Sequence, residues 1–237
     1  MNIMDSMYEV LMQLPLFQGV SRTSISGIIE KTKFHFLKYK PGEVVVSRGE
    51  ECTHLKFLIS GSVRSEMVNK NGKIRVSEVL HAPNVLAPNH MFGRNTYYPA
   101  DIYAVEDTGI MQLDKQTFVN ILQSESIVLI NLLNIISRRS QKSIETFLSL
   151  SSGSVKEKLA FWVLCFTQRR STDIKVICKQ KDLYSFFGVQ RSVFVSALNE
   201  LKDEGIIDYT TREIMILDRD RLKALLSEDT ADEDVEE

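Results

Sequence analysis

The chain has 237 residues, of which 43% are hydrophobic and 25% charged, and its formal net charge is −2. This composition excludes a largely disordered chain and supplies enough apolar residues for two cores of modest size. The charge is uneven, because residues 228–237 hold seven acids and no base, so the remainder carries about +5.

The sequence offers no signal for secretion or for a membrane. The N-terminus lacks the basic and apolar regions of a signal peptide, and the longest apolar stretch, 127–136, is interrupted by Asn131 and Asn134 and is too short for a bilayer. The three cysteines form neither a CxxC motif nor a disulfide framework (Cys52, Cys165 and Cys178). We therefore expect a reducing cytoplasm and no membrane partner.

The N-terminal half begins with two predicted helices, 5–14 and 22–33. Pro15 ends the first helix, and Ser21 is the N-cap of the second. Turn signals then recur about every ten residues, which is typical of an antiparallel sandwich or barrel. Asn71-Gly72 is the strongest of them, because both residues tolerate the positive φ of a type I′ hairpin. The predicted strands are 34–39, 44–47, 54–60, 62–68, 74–80, 102–104 and 109–114.

A long helix is predicted from about Ser124 to Leu150. Apolar or small residues recur along it in steps of three and four, as in a coiled-coil seam: Leu129, Leu133, Ile136, Ser140, Ser143 and Phe147. The alternative is one buried helix of a single core. The length of the helix and the apolar residues on its other faces favour a dimer seam.

A smaller C-terminal domain follows the break at residues 151–154. The pattern predicts a helix over 155–167 that packs inward through residues including Trp162 and Phe166, and then a strand over 174–178. A hairpin over 206–217 that turns near Thr211-Arg212 and a last helix capped by Asp218 that ends near Leu226 are predicted to follow. The acidic tail beyond it is expected to be disordered.

Residues 179–207 have the pattern of a helix-turn-helix. A first helix begins at about Gln180, Gly188 supplies the turn, and a second helix begins at about Gln190. The residues expected to pack inward are Leu183, Phe186 and Phe187 on the first helix and Val193, Phe194, Ala197, Leu198 and Leu201 on the second. The following hairpin would be the wing of a winged helix domain.

The start of the second helix is the candidate base-reading surface. Arg191 can donate two parallel hydrogen bonds to guanine O6 and N7, and the neighbouring Gln190, Ser192 and Ser196 can reach bases or waters. Residues at the start of the first helix are expected to hold phosphates (Lys179, Gln180 and Lys181). The alternative is a helical hairpin whose charged face is merely solvated, and the adjoining wing favours DNA.

Four segments of the chain resemble the cyclic-AMP receptor protein and fumarate–nitrate regulator (CRP/FNR) family. They are Leu14-Pro15-Leu16-Phe17 with Ser21, the stretch 38–64 (KYKPGEVVVSRGEECTHLKFLISGSVR), Arg138-Arg139 on the long helix, and the helix-turn-helix with Gly188 at its turn. Each segment is weakly specific, but their order and spacing along nearly the whole chain identify the resemblance.

The resemblance implies an α+β fold of four parts. These are a cyclic-nucleotide-binding-like antiparallel β-barrel (jelly roll) over 1–122, a dimerisation helix over 123–150, a winged helix-turn-helix over 151–226 and a tail over 227–237. The resemblance also implies a bacterial transcription regulator that binds a two-fold-symmetric operator in double-stranded DNA as a homodimer and acts with RNA polymerase. Arg191, Ser192 and Ser196 occupy the positions where cyclic-AMP regulators have arginine, glutamate and arginine, so a different operator is expected.

The same resemblance argues against cyclic AMP as the effector. The family's phosphate-binding cassette has a Gly-Glu pair and an Arg-Ser/Thr-Ala triplet, whereas 81–107 lacks the pair and has Tyr98-Pro99-Ala100 in place of the triplet. Arg94 lies four residues too early to replace the arginine, and a buried phosphodiester needs a paired cation. The position that meets adenine is matched by Ile144. An effector pocket, if present, would involve Tyr98, Tyr103 and Ile144.

We predict no cofactor and no metal. The iron–sulfur branch of the family needs a cysteine cluster, which is lacking, and Cys52 with His54 has no third and fourth ligand at metal spacing. No motif of an enzyme is found. A second hypothesis remains: a receptor for an unknown small molecule, with haem or another non-nucleotide as the ligand, that signals mainly through a protein partner.

Overall fold

The structure is a computed structural model that describes residues 3–226. Its contacts divide the chain into two compact units, each built from two stretches of sequence. Of the described residues, the first unit holds 3–65 and Leu80–Ser140, and the second holds Glu66–Val79 and 141–226. The predicted disordered tail, 227–237, lies outside the described residues.

Among the described residues, the first unit contains three α-helices and the first half of a fourth. They are α1 (Ile3–Met12), α2 (Arg22–Lys31), α3 (Lys115–Ser124) and the first half of α4 (Ser126–Ser152). Ser21 caps α2, as predicted, by accepting a hydrogen bond from the Ser24 N–H at 3.1 Å, and Asp114 caps α3 through the Thr117 N–H at 2.9 Å. Within 3–226 no single helix could cross a membrane by length and hydropathy; α3 and Ser126–Leu148 pass that test only together, bent by 113°.

The predicted antiparallel β architecture of the first unit is confirmed, with strand ends shifted by one or two residues. The strands of this half of the sequence are β1 (His35–Tyr39), β2 (Val44–Val46), β3 (His54–Ser60), β4 (Ser62–Val68), β5 (Arg75–His81), β6 (Asn84–Leu86), β7 (Ala100–Ala104) and β8 (Thr108–Asp114). Residues 66–68 of β4 and 75–79 of β5 belong to the second unit. One sheet has the order β1-β8-β3-β6, and β4, β7 and β2 are neighbours in another. β6 was not predicted, because its three residues carry too short a pattern to detect.

The core of the first unit is built from strands of both sheets and from the helices. Phe57 of β3 and Phe17, in a short 3₁₀ turn that begins at Pro15, are fully buried, and their ring centroids lie 6.1 Å apart. Val128 and Leu132 of α4 are buried in the same core. One face of α4 therefore packs on its own unit.

The turn at Asn71-Gly72 is not the type I′ turn that the sequence predicts. Only Gly72 has positive φ (72°), and the connection runs from Asn69 to Ile74, whose backbone groups are hydrogen bonded. The Asn69 side-chain oxygen accepts hydrogen bonds from the Lys73 and Ile74 N–H groups at 2.9 and 3.1 Å. Asn69 supplies bonds that the dipeptide pattern does not reveal, and they stabilise a longer turn.

The second unit has the predicted helices and wing. Its elements are the second half of α4, α5 (Val155–Phe166), β9 (Thr172–Ile177), α6 (Gln180–Phe186), α7 (Arg191–Asp203), β10 (Ile207–Tyr209), β11 (Glu213–Ile216) and α8 (Arg219–Ala224). β11 pairs with both β10 and β9 in antiparallel register, and β9 pairs with β5 on its other edge. The sheet of this unit is therefore completed by a strand from the first third of the sequence.

Aromatic side chains fill much of the second core, although three apolar side chains are more exposed than predicted. Trp162 is buried and lies 5.3 Å from Phe166 and 6.1 Å from Phe186 between ring centroids. Phe166, Phe186 and Val193 were predicted to pack inward but are 41%, 53% and 52% exposed. They lie at the margins of their helices' buried faces, which are narrower than a pattern of apolar residues suggests.

The capping box of α5 gives a testable stability prediction. The Ser154 hydroxyl accepts from the Glu157 N–H at 3.2 Å, and the Glu157 carboxylate accepts from the Ser154 N–H at 2.6 Å. Ser154→Ala is expected to lower the free energy of unfolding by about 1 kcal/mol at pH 7. The exposed Ser185 of α6, changed to alanine, is the matched control, and thermal unfolding measures both variants.

The same capping box predicts that the stability lost in Ser154→Ala depends on pH. The hydrogen bonds from the Ser154 side chain and then from its backbone N–H hold the pKa of Glu157 below its ordinary value of 4.5. A depressed carboxyl pKa stabilises the fold above the pKa of the unfolded chain and ceases to do so as the pH falls through the folded pKa. The difference between the wild-type protein and Ser154→Ala should therefore shrink below about pH 4.5. An unchanged difference in acid would contradict this account.

Candidate nucleic-acid interface

The predicted helix-turn-helix is confirmed in the second unit. Helices α6 and α7 are joined by four residues, in which Gly188 adopts φ of 66° and the Val189 N–H donates to the Tyr184 carbonyl at 3.1 Å. A positive φ favours glycine over any residue with a side chain, which explains Gly188 at this place.

Helix α7 is fixed to the unit along one side only. Phe194, Leu198 and Leu201 are fully buried, and the rings of Phe194 and Phe187 lie 6.3 Å apart between centroids. Because these residues follow one another at helical spacing, the opposite side of α7 faces solvent. The packed side holds α7 rigidly while its other side stays open to a ligand.

Arg191 is the first residue of α7, and its side chain is exposed. Among residues 3–226 it has no hydrogen-bond or ionic partner, so all five guanidinium donors face solvent. Gln190 is the N-cap but makes no side-chain capping bond, and Ser192 is exposed beside it. The first turn of α7 thus presents donors that the fold itself does not use.

Two polar residues further along α7 are engaged within the protein. The Ser196 hydroxyl donates to Glu200 at 3.3 Å, and Glu200 pairs with the Lys156 ammonium at 2.7 Å. The Asn199 side chain accepts a hydrogen bond from the Tyr209 hydroxyl of β10. Ser196 can therefore reach a base only by leaving Glu200. Val193 adds an exposed apolar surface on this helix that the sequence pattern did not reveal.

The three residues predicted to hold phosphates lie together at the start of α6. Lys179 is its N-cap, and Lys179 and Lys181 are exposed. The side-chain amide of Gln180 donates to the Thr210 carbonyl at 3.2 Å, in the turn between β10 and β11. Gln180 thus holds the wing turn next to the helix-turn-helix, a role that sequence reasoning missed.

The exposed face of α4 carries most of the predicted dimer seam. Leu129, Leu133 and Phe147 are 37%, 48% and 74% exposed, and Ser140 and Ser143 are also exposed. Ile136 instead packs partly against the core of the first unit. The seam prediction omitted four further exposed apolar residues of this helix: Ile127, Ile130, Ile144 and Leu148.

The residues suggested for an effector pocket are divided between the two units. Tyr98 is buried in the first unit, where its hydroxyl donates to the His54 carbonyl at 3.2 Å, and Tyr103 lies half-buried on β7 opposite Val44. Ile144 belongs to the second unit and is 60% exposed on α4. Burial raises the pKa of the Tyr98 hydroxyl far above its ordinary value, which keeps that group neutral.

The first unit contains a buried cation that sequence reasoning did not single out. Lys56 of β3 is only 8% exposed, and its ammonium donates to the Gln112 side-chain oxygen of β8 at 3.2 Å. Burial lowers its pKa, while the charge of Glu50 opposes this shift. The alternation of β3 places Lys56 with His54 on the face opposite Leu55 and Phe57, and lysine is rarely buried, so the sequence pattern did not indicate its burial.

Two family profiles match the chain: a cyclic nucleotide-binding domain over residues 36–125 and a Crp-like helix-turn-helix domain over 157–225. The HTH-type transcriptional regulator ArcR of Staphylococcus epidermidis is 24% identical over 175 residues, which cover 71% of this chain and 76% of ArcR. The potassium channel SKOR of Arabidopsis thaliana is 34% identical over 116 residues, which cover 47% of this chain and 13% of the channel. This chain thus spans only a small part of that relative.

The structural comparison agrees with the two profiles. The crystal structure of the catabolite activator protein of Thermus thermophilus superposes with a TM-score of 0.53 at 18% identity and covers 89% of this chain and 97% of that one, which is a likeness of fold. ArcR and the catabolite activator protein are named as regulators rather than as enzymes. The chain therefore belongs to the CRP/FNR family of transcription regulators, in which a cyclic nucleotide-binding domain precedes a Crp-like helix-turn-helix domain.

Proposed function

We propose that the protein regulates transcription by binding a two-fold-symmetric operator as a homodimer, in the cytoplasm and with RNA polymerase as a partner. The observation that carries the proposal is the exposed first turn of α7, where the Arg191 guanidinium has no partner among the described residues. Such a group matches the two acceptors of guanine in the major groove.

The proposed dimer rests on α4. Exposed apolar residues follow one another along this 27-residue helix, while Val128 and Leu132 on another face of its first half are buried in the core of the first unit. Two copies of the helix packed side by side would remove these residues from water. A symmetric dimer presents two copies of α7, which would meet half-sites about 34 Å apart, one turn of duplex.

Selection of duplexes from a random pool by the purified protein tests this proposal. We expect enrichment of an inverted repeat whose half-sites are centred one helical turn apart. Each half-site should contain a guanine that is protected by the protein from methylation at N7. Enrichment of a single half-site, or no enrichment over the starting pool, would argue against a symmetric DNA reader.

We also propose that cyclic AMP is not the effector. Tyr98 stands where the family has its phosphate-binding arginine, and its hydroxyl is occupied by the His54 carbonyl. Arg94 is exposed, and the buried Lys56 already donates to Gln112. Calorimetric titration with cyclic AMP should show no binding, and operator affinity should be the same with and without it. A dissociation constant in the micromolar range would contradict this prediction.

A further inference from the structure

The turn between β4 and β5, residues 69–74, belongs to the second unit together with the helix-turn-helix. β5 extends the sheet of that unit, with Val76 opposite Val176 and Arg75 opposite Ile177 of β9. Ile74 and Val76 are 9% and 5% exposed and are buried in the second core. The turn is therefore held by strand pairing and by apolar packing.

A buried acid fixes the same strand. Glu78 is 4% exposed, and its carboxylate accepts a hydrogen bond from the Gln168 N–H at 2.8 Å. Within the turn, the Asn69 side chain accepts from two backbone N–H groups, at Lys73 and Ile74. The turn is consequently ordered before any ligand binds, so little conformational entropy would be lost on binding.

The registers of the sheet place this turn beside the helix-turn-helix. Ile177, the last residue of β9, lies opposite Arg75 of β5 on one edge and opposite Glu213 of β11 on the other. The turn 69–74 and the wing turn at Thr210–Arg212 therefore stand at the same end of the sheet, on either side of the chain that enters α6. The Lys73 ammonium lies 3.9 Å from the Asp182 carboxylate in the first turn of α6.

The exposed charges of this end are mainly positive. Lys70 and Lys73 of the turn are exposed, as are Lys179, Lys181 and Arg212. The nearby acids are Asp182, which pairs with Lys73, Glu66, which pairs with Arg75, and Glu213. Lys70 makes no hydrogen bond or ion pair with any residue in the described part of the chain, so its charge is not neutralised by the fold.

We propose that the turn 69–74 is a second wing, which binds the phosphate backbone of the duplex through Lys70 and Lys73. This inference rests on the proposed function, because the duplex must be held by α7 for the turn to reach it. The turn contacts no base, so it adds affinity without adding sequence preference. Each phosphate that a lysine neutralises releases condensed counterions, which makes the contribution strongly dependent on salt.

The test is the double variant Lys70→Ala/Lys73→Ala, whose binding to the selected operator and to an unrelated duplex is measured over a range of salt concentrations. The affinity should fall at least about tenfold near 0.1 M salt for both duplexes. The slope of log affinity against log salt should decrease by about 3 to 4, since a dimer would lose four phosphate contacts. Lys33→Ala/Lys38→Ala, which removes the same charge from exposed positions of the first unit, should change neither quantity.

Lys70→Ala alone separates DNA contact from a folding defect, because Lys70 has no partner in the described structure to lose. It should give about half the decrease in slope and an unchanged thermal unfolding midpoint. Slopes equal to wild type in both turn variants would overturn the second wing while leaving the proposed function intact. If the wild-type protein bound no duplex better than the control polyanion heparin, the proposed function itself would fail, and the second wing with it.

Discussion

Replacing Arg191 with alanine is expected to abolish discrimination between the operator and unrelated DNA. A bidentate contact to guanine contributes about 1–3 kcal/mol of discrimination, and a symmetric dimer makes two of them. The dissociation constant for the operator should therefore rise roughly 30-fold to 10⁴-fold. Binding to unrelated duplexes should weaken much less, since it depends on the total positive charge rather than on base contacts. Fluorescence anisotropy with both duplexes at one salt concentration measures the two effects.

Two further variants separate the geometry of Arg191 from its charge. Arg191→Lys keeps the positive charge but loses the planar pair of donors. It should therefore bind unrelated duplexes as well as the wild type does, and should discriminate the operator from them as poorly as Arg191→Ala does. Arg94→Ala removes an exposed arginine of the first unit and should leave both affinities unchanged. If Arg191→Ala retained the wild-type ratio of operator to non-specific affinity, α7 would not be the base-reading helix.

The local elements of this fold were predictable because their signals are local. Ser21 and Asp218 cap helices where the sequence indicates, and Gly188 takes the positive φ that a tight helix-turn-helix connection needs. The seven predicted strands are present because the turn residues between them recur regularly. The turn at Asn71-Gly72 differs from the prediction because Asn69, two residues earlier, supplies side-chain hydrogen bonds that stabilise a longer loop.

Long-range contacts explain what the sequence did not reveal. The pairing of β5 with β9 joins residues about a hundred positions apart, and neither strand carries a local signal for its partner. The same holds for Lys56, whose burial depends on Gln112 of another strand. On α7 the sequence indicated that Arg191, Ser192 and Ser196 are exposed, but it placed Val193 inward and did not reveal that Ser196 bonds Glu200 or that Asn199 bonds Tyr209. Such side-chain networks depend on rotamers and neighbours that no periodic pattern encodes.

The α4 helix carries apolar residues on more than one face, and some of them are exposed in the described structure. Val128 and Leu132 are buried in the first unit, whereas Leu129 and Leu133, one position further along, are 37% and 48% exposed. A step of one residue turns the side chain by about 100°, so these pairs lie on different faces of the helix. Apolar residues on two faces of one helix are unnecessary for a monomer, which buries only one of them. This is why we attribute the second face to a partner copy of the chain.

Leu133→Glu should convert the protein from a dimer to a monomer without unfolding it. Leu133 is half exposed in the isolated chain, so the change costs a monomer little, whereas in a symmetric dimer it places two carboxylates at the helix contact. Losing about 1.5 kcal/mol of burial at each of two leucines raises the dimer dissociation constant roughly 100-fold or more. Asn134→Glu adds the same charge to the next exposed position of α4 and should remain dimeric. Analytical ultracentrifugation at micromolar concentration distinguishes the two variants, and a Leu133→Glu protein that sediments as a dimer would place the subunit contact elsewhere.

The monomeric variant should also bind the operator more weakly, because full affinity needs both copies of α7. Its affinity for a duplex with one half-site should equal that of the wild type, whereas the affinity added by the second half-site should be lost.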